Sequence, residues 1–96
     1  MKIQNSLFAL RARPNGLDAI RIAVAAPRVL GRAVARNRSR RRLREAFRAA
    51  IGELASGPGC DVVIVARPAI ASVPFGDLRV AAVAALGSLA GRLAAT

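Results

Sequence analysis

The sequence predicts an α+β domain in which a small β-sheet is packed by helices, and three observations carry that prediction. Two stretches near the amino terminus alternate in polarity with period two, a later stretch is apolar on both faces, and two long stretches repeat apolar residues at helical spacing. Ninety-six residues make one domain, 1–96, near the lower size at which a single core holds without staples. A hydrophobic content of 54% and a mean hydropathy of +0.38 supply enough apolar surface to offset chain entropy, so the domain is expected to fold despite its charge.

The first strand is expected over Ser6–Arg13, with Phe8, Leu10 and Ala12 on one side and Leu7, Ala9, Arg11 and Arg13 on the other. Pro14-Asn15-Gly16 makes a turn. Ala19–Ala26 is a second strand, Ile20, Ile22 and Val24 sharing one face, and the two strands suggest an antiparallel hairpin. Pro27 ends it, and Gly31 lets the chain turn before a helix from about Arg32 to Leu54. At 100° per residue Leu43, Ala46, Phe47, Ala50, Ile51 and Leu54 fall in one apolar sector, which Ser39 extends backwards. Ser56-Gly57-Pro58-Gly59 stops that helix. Asp61–Arg67 is a third strand, apolar on both faces and therefore central. Pro74 opens a last helix in which Leu78, Ala82, Ala85 or Leu86, Leu89 and Leu93 recur, weakened by Gly76, Gly87 and Gly91 and expected to fray toward Thr96.

The formal charge is +11, and it is localised. Arg28 to Arg48 holds nine arginines against one acid, Glu45, a net +8 in about a fifth of the chain. Six of those arginines fall in the nine positions Arg36-Asn37-Arg38-Ser39-Arg40-Arg41-Arg42-Leu43-Arg44. On the helical projection Asn37, Arg38, Arg41, Arg44 and Arg48 lie opposite the apolar sector, Arg40 and Arg42 on its two borders, and Arg36 over the core stripe. Solvated helix faces usually mix signs. A face with almost no acids repels itself until a polyanion relieves it, which marks a nucleic-acid surface. Arg11, Arg13, Arg21 and Arg67 all project from the sheet face opposite Phe8, Ile20, Ile22 and Val62, where they would form a shallow basic floor.

Other chemistries are poorly served. Histidine is absent, the single cysteine, Cys60, supports neither a disulfide nor a metal cluster, and the five acids Asp18, Glu45, Glu53, Asp61 and Asp77 form no evident pair. Cys60 is expected to be a small, partly buried hydrophobe. No apolar stretch is long enough to span a bilayer and no secretory h-region is visible, so no membrane partner is expected and the chain reads as cytoplasmic.

The run Leu30-Gly31-Arg32-Ala33-Val34-Ala35-Arg36-Asn37-Arg38-Ser39-Arg40-Arg41-Arg42-Leu43-Arg44-Glu45-Ala46-Phe47-Arg48 resembles the signature of the bacterial ribonuclease P protein component family. Asp61-Val62-Val63-Ile64-Val65-Ala66-Arg67-Pro68 is similar to that family's later strand, and Phe75–Leu78 to the start of its final helix. The resemblance implies a mixed sheet containing a βαβ unit of left-handed crossover, against the usual right-handed rule. It also implies a function: the protein subunit of an endoribonuclease that matures the 5′ end of tRNA. Its partners would be a catalytic RNA and precursor tRNA, with no protein oligomer, and the RNA subunit would hold the Mg²⁺ and carry out the hydrolysis.

The RNA-binding positions carried over are Arg36, Asn37, Arg38, Arg40, Arg41 and Arg44, with Arg28 as a basic residue before the helix; Arg48 joins them from the helical projection. The floor of Arg11, Arg13, Arg21 and Arg67 would hold the 5′ leader. Two departures stand out. The family's amino-terminal helix and short strand are expected to be missing, and part of the leader cleft with them. Ser39 and Val29 occupy positions that are usually aliphatic and basic respectively. The alternative function is a general or ribosomal RNA-binding protein without leader selectivity.

Overall fold

A computed structural model describes residues 1–53 and 59–95 of the chain. The expected helix end at Leu54, the Ser56-Gly57-Pro58 stop, the side chain of Leu93 and any fraying at Thr96 lie outside the described residues. The elements are β1 (Lys2–Gln4), β2 (Phe8–Pro14), β3 (Ile20–Ala25), α1 (Ala33–Glu53), β4 (Cys60–Ala66) and α2 (Phe75–Ala95), with 3-10 turns at Arg28–Leu30 and Pro68–Ala71.

The strands form one mixed sheet in the order β1-β2-β4-β3. The apolar strand β4 is central, antiparallel to β2 and parallel to β3. The expected hairpin of β2 with β3 is therefore corrected: the two run in opposite directions, but β4 lies between them. Alternation reveals which face a residue takes and says nothing about its lateral neighbour. The Pro14–Ala19 connection has to cross about two strand spacings, roughly 10 Å, which its length permits. The actual hairpin is β1 with β2, in register Lys2 to Arg11 and Gln4 to Ala9. Asn5 makes its turn, its side-chain oxygen accepting the backbone N–H groups of Leu7 and Phe8 at 2.8 and 2.9 Å. A short strand thus precedes β2, which corrects the expectation that the chain starts at the strand after it.

Both helices cover one face of the sheet. Phe8, Leu10 and Ala12 from β2 and Val62, Ile64 and Ala66 from β4 meet Leu43, Ala46, Phe47 and Ala50 from α1 and Leu78, Ala82, Leu86 and Leu89 from α2. Cys60 is fully buried there, and loss of solvent, followed by the neighbouring Asp61 charge, pushes its thiol pKa up, which makes it less reactive. Ile20, Ile22 and Val24 line the core margin from the edge strand β3.

The hand of the β3-α1-β4 crossover follows from the backbone. The Arg67 N–H donates to Leu7 O and Gly59 O accepts from Asn15, so odd-numbered residues of β4 aim their polar groups at β2. The same residues point their side chains to the uncovered face. For L-residues viewed from that face with β4 rising, this puts β2 on the right and β3 on the left, with the helices behind. The crossover is left-handed, the exception to a strong rule.

One glycine is sterically required. A Cβ on Gly59 would lie 1.9 Å from the Leu17 carbonyl oxygen and 2.6 Å from Asn15 Oδ1, because the β2–β3 connection folds over the start of β4. Gly59→Ala is expected to lower stability by about 1–3 kcal/mol, the usual cost of overpacking. Chemical denaturation checks this, and an unchanged midpoint would mean that the connection does not sit there.

Candidate nucleic-acid interface

The inner face of α1 is fixed by burial of Leu43, Ala46, Phe47 and Ala50, and that burial orients everything else on the helix. Asn37, Arg38, Arg41, Arg44 and Arg48 are exposed on the outer side. Asn37, Arg40, Arg41, Arg44, Glu45 and Arg48 line a shallow groove of about 390 Å³. Arg40 is half-buried and donates from Nη1 to Asn37 Oδ1 at 2.7 Å. Asn37 thus presents its amide hydrogens outward, as donors suited to phosphate or base oxygens.

Helix electrostatics sharpen the contrast. The first turn of α2 carries Asp77 and its last turn Arg92, which complements the helix dipole. The first turn of α1 carries no acid, and Arg36 and Arg38 follow close behind it. These cations sit at the positive end of the dipole, an arrangement that a bound polyanion relieves.

The structure separates the arginines of the run into different environments. Arg28 is exposed in the 3-10 turn ahead of α1. Arg36 is half-buried, with its Nε enclosed and unbonded among the described residues. Arg42 is turned inward: its guanidinium donates to Ile70 O at 2.6 Å and also to Val73 O, clamping the segment between β4 and α2 onto α1. The projection puts Arg42 on a border of the basic face, but the use of that border could not be read from spacing, since its partners are some thirty residues away.

The uncovered face of the sheet carries Arg11, Arg13, Arg21 and Arg67, so tertiary folding brings the four together on one side. β1 adds Lys2 beside Arg11, and also Gln4, whose Oε1 accepts from Arg67 Nη2 at 2.7 Å. These two were missed because three residues are too few to show an alternating period. A hollow of about 500 Å³ lies over this floor, lined by Arg11, Arg13, Arg21, Ala23, Asp61 and Val63 among others.

The floor is not uniformly basic. Register places Asp61 opposite Arg21 on β3 and Arg13 on β2. Arg21 grips Asp61 with two bonds of 2.8 and 2.9 Å, and Asn15 Nδ2 donates to the same carboxylate at 3.0 Å. The Arg21 and Asn15 hydrogen bonds, aided by the Arg21 and Arg13 charges, hold the Asp61 pKa down at about 2, against an ordinary 3.8. One end of the floor is therefore partly neutralised, and the free positive charge lies toward Arg11 and Lys2.

A depressed carboxylate pKa stabilises the fold above its unfolded value and ceases to do so as pH falls through the folded value. Asp61 should accordingly contribute above about pH 4 and nothing below about pH 2. Melting curves of wild type and Asp61→Asn should differ at neutral pH and converge across that window. A pH-independent difference would remove the pairing from the account.

Among the described residues no group of three or more His, Cys, Asp or Glu is placed to hold a metal ion, and no described helix is long and apolar enough to cross a membrane.

A family model described as "Ribonuclease P" matches residues 1–90. The chain is 42% identical over 74 residues to the ribonuclease P protein component of Roseiflexus sp. (strain RS-1), which covers 76% of this chain and 59% of that one. It is 44% identical over 62 residues to the corresponding Ruegeria pomeroyi protein, covering 64% and 49%. The chain thus spans about half to three fifths of the length of these two curated relatives. Among solved structures, the ribonuclease P protein of Thermotoga maritima superposes with a TM-score of 0.74 at 30% identity, over 96% of this chain and 82% of that one. The Staphylococcus aureus protein, at 20% identity and a TM-score of 0.73, shares the fold.

Proposed function

The chain belongs to the ribonuclease P protein family, and from that membership we propose that it is the protein subunit of a cytoplasmic ribonuclease P that matures the 5′ end of tRNA. The observation that carries this reading is the outer face of α1, where Asn37, Arg38, Arg41, Arg44 and Arg48 are exposed side by side. In this reading that face, with Arg28, Arg36 and Arg40, meets the catalytic RNA, and the guanidinium forks bind phosphate oxygens.

The open sheet face takes the single-stranded 5′ leader of precursor tRNA. Arg11 and Arg13 supply phosphate contacts. Arg67 is held by Gln4 and Arg21 by Asp61, which fixes both over the floor. Phe8 and Phe47 are buried and the exposed Phe75 begins α2 in the helical layer, so among the described residues the open sheet face offers the leader charge and hydrogen bonds without an aromatic platform. The floor and the α1 face point to opposite sides of the sheet. Because α1 packs beneath β3 and β4, RNA engaging both surfaces passes around the β3 edge.

The chain's own residues bind and orient RNA. In this proposal phosphodiester hydrolysis, with the Mg²⁺ that assists it, belongs to the RNA subunit.

Reconstitution tests the whole reading. The purified chain should bind a bacterial ribonuclease P RNA and raise its cleavage of precursor tRNA at low Mg²⁺; no binding and no stimulation would refute it. Arg11→Ala and Arg67→Ala should weaken precursor tRNA binding more than mature tRNA binding. Equal losses would favour a general RNA-binding protein without leader selectivity.

A further inference from the structure

A second hollow, of about 380 Å³, lies between the first turns of α1 and the 3-10 turn at Pro68–Ala71, away from the sheet floor. Its volume is in the range of small-molecule sites. The walls are mainly apolar, formed by Val34, Ala35 and Ala71. Arg32 and Arg38 are exposed and stand on its lining with no acid among their neighbours there.

Two features give this hollow a built interior. Arg42 lines it, and its guanidinium is tied through Nη1 and Nη2 to the carbonyls of Ile70 and Val73, so that its plane is immobilised. Ser39 also lines it. Ser39 is the buried polar residue of the core, 3% exposed. Its hydroxyl is both a donor and an acceptor, set among otherwise apolar walls.

The ligand chemistry follows from the lining. Apolar walls exclude a bare hydrated phosphate, and the cations beside them are wasted on an apolar peptide. A flat ring flanked by anions satisfies both. We infer that this hollow is a pocket for one unpaired nucleobase of the bound RNA, stacked on the Arg42 guanidinium and hydrogen-bonded by Ser39, with the flanking phosphates held by Arg32 and Arg38. Arginine planes stack on splayed-out RNA bases, and the hydroxyl serves as donor or acceptor to a base edge. The inference rests on the reading that α1 meets RNA, and it adds a base-selective site to a face otherwise equipped for phosphates.

The test uses the full chain and two short RNA duplexes, identical except that one carries a single-nucleotide bulge. Wild type should bind the bulged duplex about tenfold more tightly, the worth of stacking one base, and an abasic residue at the bulge should abolish the preference. Ala71→Phe, which fills the hollow from an exposed position, and Ser39→Val, which removes the hydroxyl, should each reduce the preference. Both should leave affinity for the paired duplex and the salt dependence unchanged. Equal wild-type affinity for the two duplexes, or a preference that survives Ala71→Phe, would overturn the inference while leaving the RNA-binding reading of α1 intact. Failure to bind either duplex would overturn both.

Discussion

Replacing Arg41, Arg44 and Arg48 together by alanine should lower RNA affinity about a hundredfold near physiological salt while leaving the fold intact. On a duplex, each neutralised phosphate contributes about 0.9 to the log–log salt slope, so losing three contacts makes it shallower by roughly 2.7. Carried from about 1 M salt, where this contribution fades, down to about 0.15 M, that difference amounts to about two orders of magnitude. The three side chains are exposed and form no ion pair among the described residues, so their removal deprives the core of nothing. It also removes like charges from one helix face, which should hold the melting temperature level or raise it. Titrations at several salt concentrations, paired with melting curves, check both halves. An unchanged slope would remove phosphate binding from this face, and a collapse in melting temperature would show that the arginines serve the fold.

The opposite face of the same helix gives the second large effect. Phe47 is fully buried and meets Phe8 edge-on, with ring centroids 5.2 Å apart and planes at 72°. Phe47→Ala removes that contact and leaves a cavity between α1 and β2, at a cost of about 3–5 kcal/mol. A domain of this size has a total stability on the order of 5–14 kcal/mol, so the variant should unfold at much lower denaturant, or not fold at all at 37 °C. Phe47→Leu should retain most of the lost stability. If Phe47→Ala unfolded with the wild-type midpoint, α1 would not be anchored as described, and the orientation of its arginines would lose its basis.

Much of this architecture was legible in particular residues. The pairing of Phe8, Leu10 and Ala12 against Arg11 and Arg13 told the two faces of β2 apart, because side-chain direction alternates by covalent geometry. The continuous apolar run Val62–Ala66 marked β4 as central, because a strand flanked on both edges and carrying the core of the domain has little use for charge. The two sides of α1 followed from helical period alone. The Gly59 contact was not legible, since nothing local requires a glycine there; the demand comes from Leu17, across the sheet. Nor was the hairpin: alternation is the same for a strand whichever neighbour it has, and here β1, too short to show a period, took the place beside β2.

What the amino-acid order determined by itself was therefore local and periodic: which residues lie on which side of each strand and helix, and that one helix carries positive charge with nothing to balance it. What only the tertiary structure decided was who meets whom. It took Arg42 from the run to clamp the chain at Ile70 and Val73, set Asp61 into the floor to hold Arg21, brought Lys2 and Gln4 to Arg11 and Arg67, and opened the hollow beside Ser39. The physical reason is separation along the chain. Periodicity acts between residues a few positions apart, whereas these contacts join groups up to 63 positions apart and exist only once strand order and the hand of the crossover have been chosen.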